Sequence, residues 1–301
     1  MLKRTLIFLL PLLLLAVVAD AQQQGQRGQR GQRGQRGGGG AAQPVELKKV
    51  EGNLYQILGG RGSQGGCYIG DDGVLVMDAK MDEKSVQDVF AAIGKITDKP
   101  VKYLVNTHSD GDHINGNQYF PKSVTIVASE NCKEEFFHTT RGGQESMYND
   151  PKMKSWVPSV TFKERHTLTL GSKKVELRWF GIGHTKGDTF VYFPEEKTVF
   201  CGDMFFLARV PLIHSYKGGN SHKAVETLTK MLAGFPDAKN FCSGHSDMVG
   251  RARVQQYIDD FKARQAKVKA LKDQGKDLAA VQAAFTEDEA QLTAAIFNEL
   301  K

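Results

Sequence analysis

Short apolar runs separated by polar turns dominate the first part of the globular chain. In GCYIGDDGVLVMDA (residues 66–79), two apolar runs flank a GDDG turn, which predicts a β-hairpin. In MDEKSVQDVFAAIGKIT (residues 81–97), apolar residues recur three and four positions apart, which predicts a helix. VKYLVN and VTIVA then predict two strands, and SENCKEEFFHTT predicts a helix capped by Ser129.

The same succession returns in the second part of the chain. KKVELRWFGIGHT, TFVYF, TVFCGD and KNFCSGH are strand-like, whereas SHKAVETLTKML has helical spacing. Strands therefore lead in each half and helices follow. This order predicts an α/β class in which two β-rich halves, divided near residue 155, form a sheet sandwich covered by helices.

The chain beyond residue 250 is helical by its pattern. A break at Gly275 separates a long helix from a last one. Residues 44–250 are thus predicted to form the main domain, and residues 251–301 to form helices that pack on it. The residues expected on the packed faces are Val254, Tyr257, Ile258, Phe261, Val268, Leu292, Ala295 and Ile296.

The N-terminus has two segments outside this pattern. Residues 1–21 combine Lys3 and Arg4, a short apolar run and a small-residue cleavage site, which predicts a signal peptide and export to the periplasm or the medium. The alternative is an uncleaved anchor. Residues 22–43 repeat the unit GQR and hold no large apolar residue, so they predict a disordered linker. Its arginines also suit contact with an anionic surface.

Charge and cysteine content narrow the possible functions. Most of the formal net charge of +6 lies in the leader and in the four arginines of the repeat, so the globular part is nearly neutral. No nucleic-acid partner is expected for a domain without a basic surplus. The four cysteines, Cys67, Cys132, Cys201 and Cys242, are scattered, and buried free thiols are expected rather than a disulfide framework.

Residues that commonly bind metal ions follow the predicted strand ends. The turn NTHSDGDHINGN follows VKYLVN, GHT ends one strand, GD another, and GH a third. Imidazole and carboxylate groups suit zinc, iron or manganese. The seven candidate ligands are His108, Asp110, Asp112, His113, His184, Asp203 and His245.

The order of these pieces resembles the metallo-β-lactamase superfamily across roughly residues 46–250. The matching pieces are GVLVMDA, NTHSDGDHINGN, GIGHTKGDTFVYFP, VFCGDM and FCSGH. The resemblance implies a four-layer αββα sandwich, with the C-terminal helices as an extension, and a site for two divalent metal ions between the sheet edges. Zinc is the expected metal, and iron or manganese are alternatives.

The resemblance also assigns roles to individual residues. It implies that one metal is bound by His108, Asp110 and His184, and the other by Asp112, His113 and His245. Asp203 would bridge the two metals, and Asp78 would hold the turn from behind. Asp112 would also orient the nucleophile.

Two positions set the chain apart within the superfamily. Asp110 stands where most of the hydrolases have His, which gives H-x-D-x-D-H, and Asp203 stands where the best-known β-lactamase subclass has Cys. Asp203 makes the site similar to the glyoxalase II and lactonase branch. A third carboxylate is expected to weaken the preference for zinc relative to iron or manganese.

Two residues near the ligands, Lys186 and His214, are candidates for contact with the substrate. The alternative for Lys186 is a side chain that contacts only solvent. Asp188 is expected to cap the loop after His184. The segment 136–157 is either a lid over the site or an ordinary loop packed on the core.

The function implied is an exported hydrolase of a small acyl compound. Hydroxide bound to the metals would attack the carbonyl of a lactam, lactone, thioester or ester. One alternative is an iron-dependent oxidoreductase of the same fold. Another is a metal-binding module without catalysis.

Overall fold

The computed structural model describes residues 43–138 and 142–300. The predicted signal peptide and nearly all of the predicted linker therefore lie outside the described residues. Within the described ranges, no helix has the length and apolar character needed to cross a bilayer.

The first sheet has seven strands in chain order. β1 to β4 run antiparallel to their neighbours, and β4 to β7 run parallel. The predicted GDDG hairpin is confirmed, since it joins β3 to β4. The strands are β1 (Glu46–Glu51), β2 (Leu54–Leu58), β3 (Gly65–Ile69), β4 (Val74–Met77), β5 (Val101–Val105), β6 (Thr125–Ser129) and β7 (Val160–Phe162).

The second sheet has six strands in the order β13-β12-β11-β10-β9-β8. β11 and β12 are parallel, and the other neighbours are antiparallel. The division between the sheets falls between residues 162 and 165, later than the expected position near 155. The strands are β8 (Arg165–Leu170), β9 (Lys173–Arg178), β10 (Phe190–Phe193), β11 (Thr198–Phe200), β12 (Asn240–Ser243) and β13 (Ser246–Gly250).

The predicted cap at Ser129 is confirmed, and two other helices also begin at polar caps. Ser129 accepts a hydrogen bond from the N–H of Cys132, and Asp82 and Asn220 cap the helices that follow them. The helices are α1 (Glu83–Gly94), α2 (Gly111–Ile114), α3 (Glu130–Glu135), α4 (Ser221–Gly234), α5 (Arg251–Asp273), α6 (Leu278–Gln282) and α7 (Ala290–Glu299).

Three apolar cores separate four layers. Residues such as Val86 and Ile93 of α1 pack on one face of the first sheet. The two sheets face each other across a second core that includes Leu75 and Leu177. A third core lies between the second sheet and the helices α4, α5 and α7, and includes Phe261. This arrangement confirms the αββα sandwich with C-terminal helices.

The C-terminal helices are tied to the start of α4. The carboxylate of Glu299, at the end of α7, accepts hydrogen bonds from the backbone N–H groups of Ser221 and His222 and from the Ser221 hydroxyl. Gln265 of α5 donates to the carbonyl of Ser221. These contacts fix the helix that follows the loop containing residues 213–220.

Candidate metal centre

The His/Asp turn lies at the carboxyl end of β5, where the chain enters α2. Strands β4 and β5 are parallel, and so are β11 and β12, so the residues that follow these strands meet at one edge of each sheet. Asp110 is the residue before α2 and has extended backbone angles of φ −71° and ψ 142°. The chain changes from extended backbone to helix at Asp110, and residues on both sides of Asp110 reach the same site.

One group of candidate ligands surrounds Asp110. The Nε2 atoms of His184 and His108 lie 3.0 and 3.5 Å from Asp110 Oδ2. Asp203 Oδ2 lies 4.0 Å from His108 Nε2. One donor atom from each of these four residues can be chosen so that all lie within 4.8 Å of one another, as binding of a single ion requires.

A second group lies beside the first. The Nε2 atoms of His245 and His113 lie 3.0 and 3.7 Å from Asp112 Oδ2. Asp203 also reaches this group, because its Oδ1 is 3.3 Å from His113 Nε2 and its Oδ2 is 3.3 Å from His245 Nε2. Asp203 thus contacts histidines of both groups, as a bridging ligand must. The structure brings all seven predicted ligand residues together.

Three buried polar atoms of the site lack a hydrogen-bond partner. Among the described residues, His108 Nε2, His113 Nε2 and Asp203 Oδ1 are buried without a hydrogen bond. His113 Nε2 and Asp203 Oδ1 are 3.3 Å apart but are not aligned for one. Unpaired buried polar atoms are costly, and metal ions would satisfy them. The donor set of nitrogen and oxygen therefore fits divalent ions such as zinc.

Asp78 holds the His/Asp turn in place by hydrogen bonds to Thr107 and His113. Its Oδ2 lies 2.8 Å from His113 Nδ1, and its Oδ1 accepts the N–H of Thr107 at 2.8 Å. Asp78 has a positive φ of 58°, a costly conformation for a residue other than glycine, and its three hydrogen bonds offset that cost.

Contacts at Nδ1 also orient the rings of His184 and His108. His184 Nδ1 donates to the carbonyl of Leu212 at 2.8 Å. The Thr107 hydroxyl, which donates to Asp78, lies 3.1 Å from His108 Nδ1. With Nδ1 engaged, each ring presents Nε2 to the site, and such contacts typically fix the orientation of metal-binding histidines.

Lys217 is a buried neighbour of Asp110 that the sequence reading missed. Its Nζ lies 2.8 Å from Asp110 Oδ1, and it also donates to the carbonyl and hydroxyl oxygens of Ser109. His214, a predicted substrate contact, is buried, and its Nδ1 lies 3.0 Å from Asp110 Oδ2. The only signal for Lys217 was its place in the glycine-containing stretch SYKGG, three residues after His214.

Lys186 and Asp188 lie on the loop after His184. The ammonium of Lys186 pairs with Glu134 at 3.2 Å, and its side chain is 45% exposed. Asp188 accepts hydrogen bonds from the backbone N–H and hydroxyl of Thr185, as expected of a capping residue.

The segment 136–157 was expected to be either a lid or an ordinary loop packed on the core, and residues 139–141 lie outside the described part. The remainder holds two short 3₁₀ turns, Met147–Asn149 and Pro151–Trp156. Tyr148 and Met153 are buried in an apolar cluster with Ile114 and Phe136. The described part of this segment thus packs on the domain.

Without bound metal, protonated histidines would offset the negative charges of the carboxylates in the site. Burial disfavours ionisation, yet the nearby His108 ring and hydrogen bonds from His184 and His214 hold the pKa of Asp110 well below its usual range. Burial also opposes charge on His184, but Asp110 raises its pKa to about 9. The pKa of His245 likewise rises to about 9, since Asp203 and Asp112 outweigh burial. Protons therefore occupy nitrogen atoms that metal ions would take.

The second group of ligands is the more exposed part of the site. The side chains of Asp112 and His245 are 30% and 28% exposed, whereas those of Asp110 and Asp203 are 10% and 3% exposed. Phe206 lies near the ring of His245, with 6.1 Å between ring centroids, and the Arg209 guanidinium lies 4.0 Å from the Phe206 ring centroid. A substrate would reach the ligands from this side.

Several known proteins are similar to this chain in sequence. A metallo-beta-lactamase type 2 of Elizabethkingia meningoseptica is 23% identical over 242 residues, which cover 75% of this chain and 88% of that protein. A hydroxyacylglutathione hydrolase of Methylococcus capsulatus is 25% identical over 178 residues, or 58% of this chain and 60% of the relative. The 2,4-dinitroanisole O-demethylase subunit alpha of a Nocardioides species is 27% identical over 139 residues, 46% of this chain and 39% of that subunit.

Solved structures share the fold. A metallo-beta-lactamase from Pontibacter korlensis superposes with a TM-score of 0.60 at 18% identity, and the match covers 72% of this chain and 99% of that one. The DIM-1 metallo-beta-lactamase gives 0.60 at 17% identity and covers 74% and 99%. The sequence profile of the metallo-beta-lactamase superfamily matches residues 61–245, which include strands β3 to β12 and every candidate ligand. This chain belongs to the metallo-beta-lactamase superfamily.

Proposed function

We propose that the protein is an exported hydrolase that uses two divalent metal ions, preferably zinc, to cleave a small acyl compound. The observation that carries the proposal is the position of Asp203 between two groups of buried nitrogen and oxygen donors. Two ions held there would supply a water of lowered pKa and would polarise a carbonyl group. The bond cleaved is that of a lactam, lactone, thioester or ester.

The protein's own residues would bind and orient the reactants. Asp112 is the most exposed carboxylate of the cluster, so it is placed to accept a hydrogen bond from the attacking water while it binds metal. The exposed guanidinium of Arg209 lies over the buried ring of Phe206, which packs near His245 on this side. It suits an acyl compound that carries a negative charge.

Export is supported by the leader-like residues 1–21. Recovery of a chain that begins near residue 22 from the periplasm or the medium is the expected result, and retention of the full leader in the cytoplasm would contradict export. The GQR repeat would then act as a tether outside the cytoplasm.

The hydrolase proposal is tested on protein purified without added metal. Elemental analysis should find about two zinc ions per chain. A panel of β-lactams, lactones, thioesters and esters is then assayed before and after chelation, with oxygen uptake followed in parallel. Metal-dependent hydrolysis supports the proposal. Bound iron with oxygen uptake and no hydrolysis would replace it with the oxidoreductase alternative, and metal binding without either activity would indicate a non-catalytic module.

A further inference from the structure

The two carboxylate oxygens of Asp110 have different surroundings. Oδ2 faces the candidate ligands, with His184 Nε2 at 3.0 Å and His108 Nε2 at 3.5 Å. Oδ1 faces the Lys217 ammonium at 2.8 Å. His214 Nδ1 lies between them, 3.0 Å from Oδ2 and 3.2 Å from Oδ1. Only one oxygen of Asp110 therefore points towards the first group.

Lys217 is buried beside Asp110, and its ammonium group is fully hydrogen-bonded. Its side chain is 7% exposed, and its ammonium has three acceptors: the Ser109 carbonyl at 2.7 Å, the Ser109 hydroxyl at 3.0 Å and Asp110 Oδ1. The backbone carbonyl of Lys217 accepts the N–H of Lys186. An ammonium with every proton donated inside the protein is held in one position.

A second carboxylate lies nearby but is engaged elsewhere. Glu135 is buried and accepts hydrogen bonds from the Ser109 hydroxyl at 2.6 Å and from the N–H of Lys186 at 2.9 Å. Ser109 thus stands between Glu135 and Lys217. The direct ion pair of Lys217 is with Asp110.

This ion pair changes the charge of the ligand set. Asp110, Asp112 and Asp203 together contribute three negative charges, and the Lys217 ammonium offsets one of them. The set then has the formal charge that it would have with a neutral histidine at position 110. Once Lys217 is included, the net charge of the site no longer favours iron or manganese over zinc.

We propose that Lys217 is a positioning residue that makes Asp110 a ligand equivalent in charge to histidine: it holds Oδ1 and directs Oδ2 alone to the metal. The inference rests on the proposed metal centre. It predicts that position 110 and position 217 depend on each other, so that a neutral residue at 110 is tolerated only when the charge at 217 is removed as well.

The test is a double-mutant cycle on zinc affinity, with Asp110→His, Lys217→Met and the two combined. Affinity is measured by competition with a chromophoric chelator, and zinc content by elemental analysis. Asp110→His alone leaves an unpaired buried ammonium beside the metals, so affinity should fall by about tenfold or more. Adding Lys217→Met should return it to within about threefold of the wild type.

Two further variants serve as controls. Asp110→Asn keeps the shape of the side chain but offers only a weak amide oxygen to zinc. If Asp110→His does not fold, Asp110→Asn should lose affinity, and adding Lys217→Met should recover part of that loss. Lys230→Met removes an exposed lysine of α4 and should leave zinc affinity unchanged. Thermal unfolding of each metal-free variant identifies any that are unfolded.

The outcomes separate this inference from the proposed function. If Lys217→Met lowers affinity by the same factor with either residue at position 110, Lys217 only supports the loop and the inference fails. A wild type that binds two zinc ions with the predicted rescue, but cleaves no acyl compound, would overturn the hydrolase and leave the pair intact. A wild type that binds no zinc would overturn both.

Discussion

Asp203 is the residue on which both ligand groups depend. Its two oxygens lie within 4.0 Å of the Nε2 atoms of His108, His113 and His245. Asp203→Ala should therefore lower the metal content from about two ions per chain to one or none, with loss of any metal-dependent hydrolysis. Elemental analysis after dialysis measures the content. Two ions retained per chain would show that Asp203 does not join the groups, and Asp247→Ala, an exposed aspartate of β13, is the matched control.

Protons and metal ions compete for the same histidines. The pKa values of His184 and His245 are raised to about 9 in the metal-free site, and zinc binds only the neutral ring. Zinc affinity should therefore fall steadily as the pH is lowered from about 9 to about 6. Chelator competition at several pH values measures this slope. An affinity that does not change over this range would contradict the assignment of these histidines as ligands.

Most of the site could be predicted because each ligand directly follows a strand or a short loop after one. Asp78, His108 and Asp203 stand at the ends of apolar runs, where parallel strands bring residues to one edge. Lys217 could not be found in this way. It follows no strand, and its burial depends on a loop that folds over Ser109, more than one hundred residues away in the sequence.

Helix α7 packs against the start of α4, which directly follows the loop that contains His214 and Lys217. Glu299 accepts two backbone N–H groups and one hydroxyl at this end of α4. A carboxylate there is stabilised by the helix dipole. Glu299→Ala should lower the free energy of unfolding by about 1–2 kcal/mol, measured with urea. Glu287→Ala, on an exposed turn, should change it little, and equal effects of the two substitutions would show that the contact with α4 is unimportant.

Element boundaries were predictable where the apolar spacing was long. All five expected apolar positions of α5, from Val254 to Val268, are buried. The boundary between the sheets was not predictable, because β7 has three residues and the two 3₁₀ turns before it are too short to produce a period. Their burial depends on contacts with Ile114 and Phe136, which lie outside the two turns.

For the whole molecule, the metal-free site predicts how stability varies with pH. The folded-state pKa values of His184 and His245, about 9, exceed the unfolded value of about 6.5. Their protonation therefore stabilises the fold fully below about pH 6.5, and this contribution is lost as the pH rises through about 9.

Chelated protein should accordingly have a lower Tm at pH 9 than at pH 6.5. Added zinc should reverse the trend, because its binding strengthens as the histidines lose their protons. Differential scanning calorimetry with and without chelator measures both slopes. A chelated protein whose Tm rises over this range would contradict the raised pKa values.

In the part of the chain that the structure describes, neither candidate ligand group contains a cysteine. All four cysteines are buried as free thiols, and burial raises the pKa of Cys67, Cys201 and Cys242, so these thiols stay protonated and unreactive. The seven candidate ligands offer only imidazole nitrogen and carboxylate oxygen. Peroxide, which converts a thiolate ligand to sulfenic acid and releases its metal, has no such target here. With aspartate in place of cysteine at position 203, the candidate ligand set exposes no thiolate to oxidation.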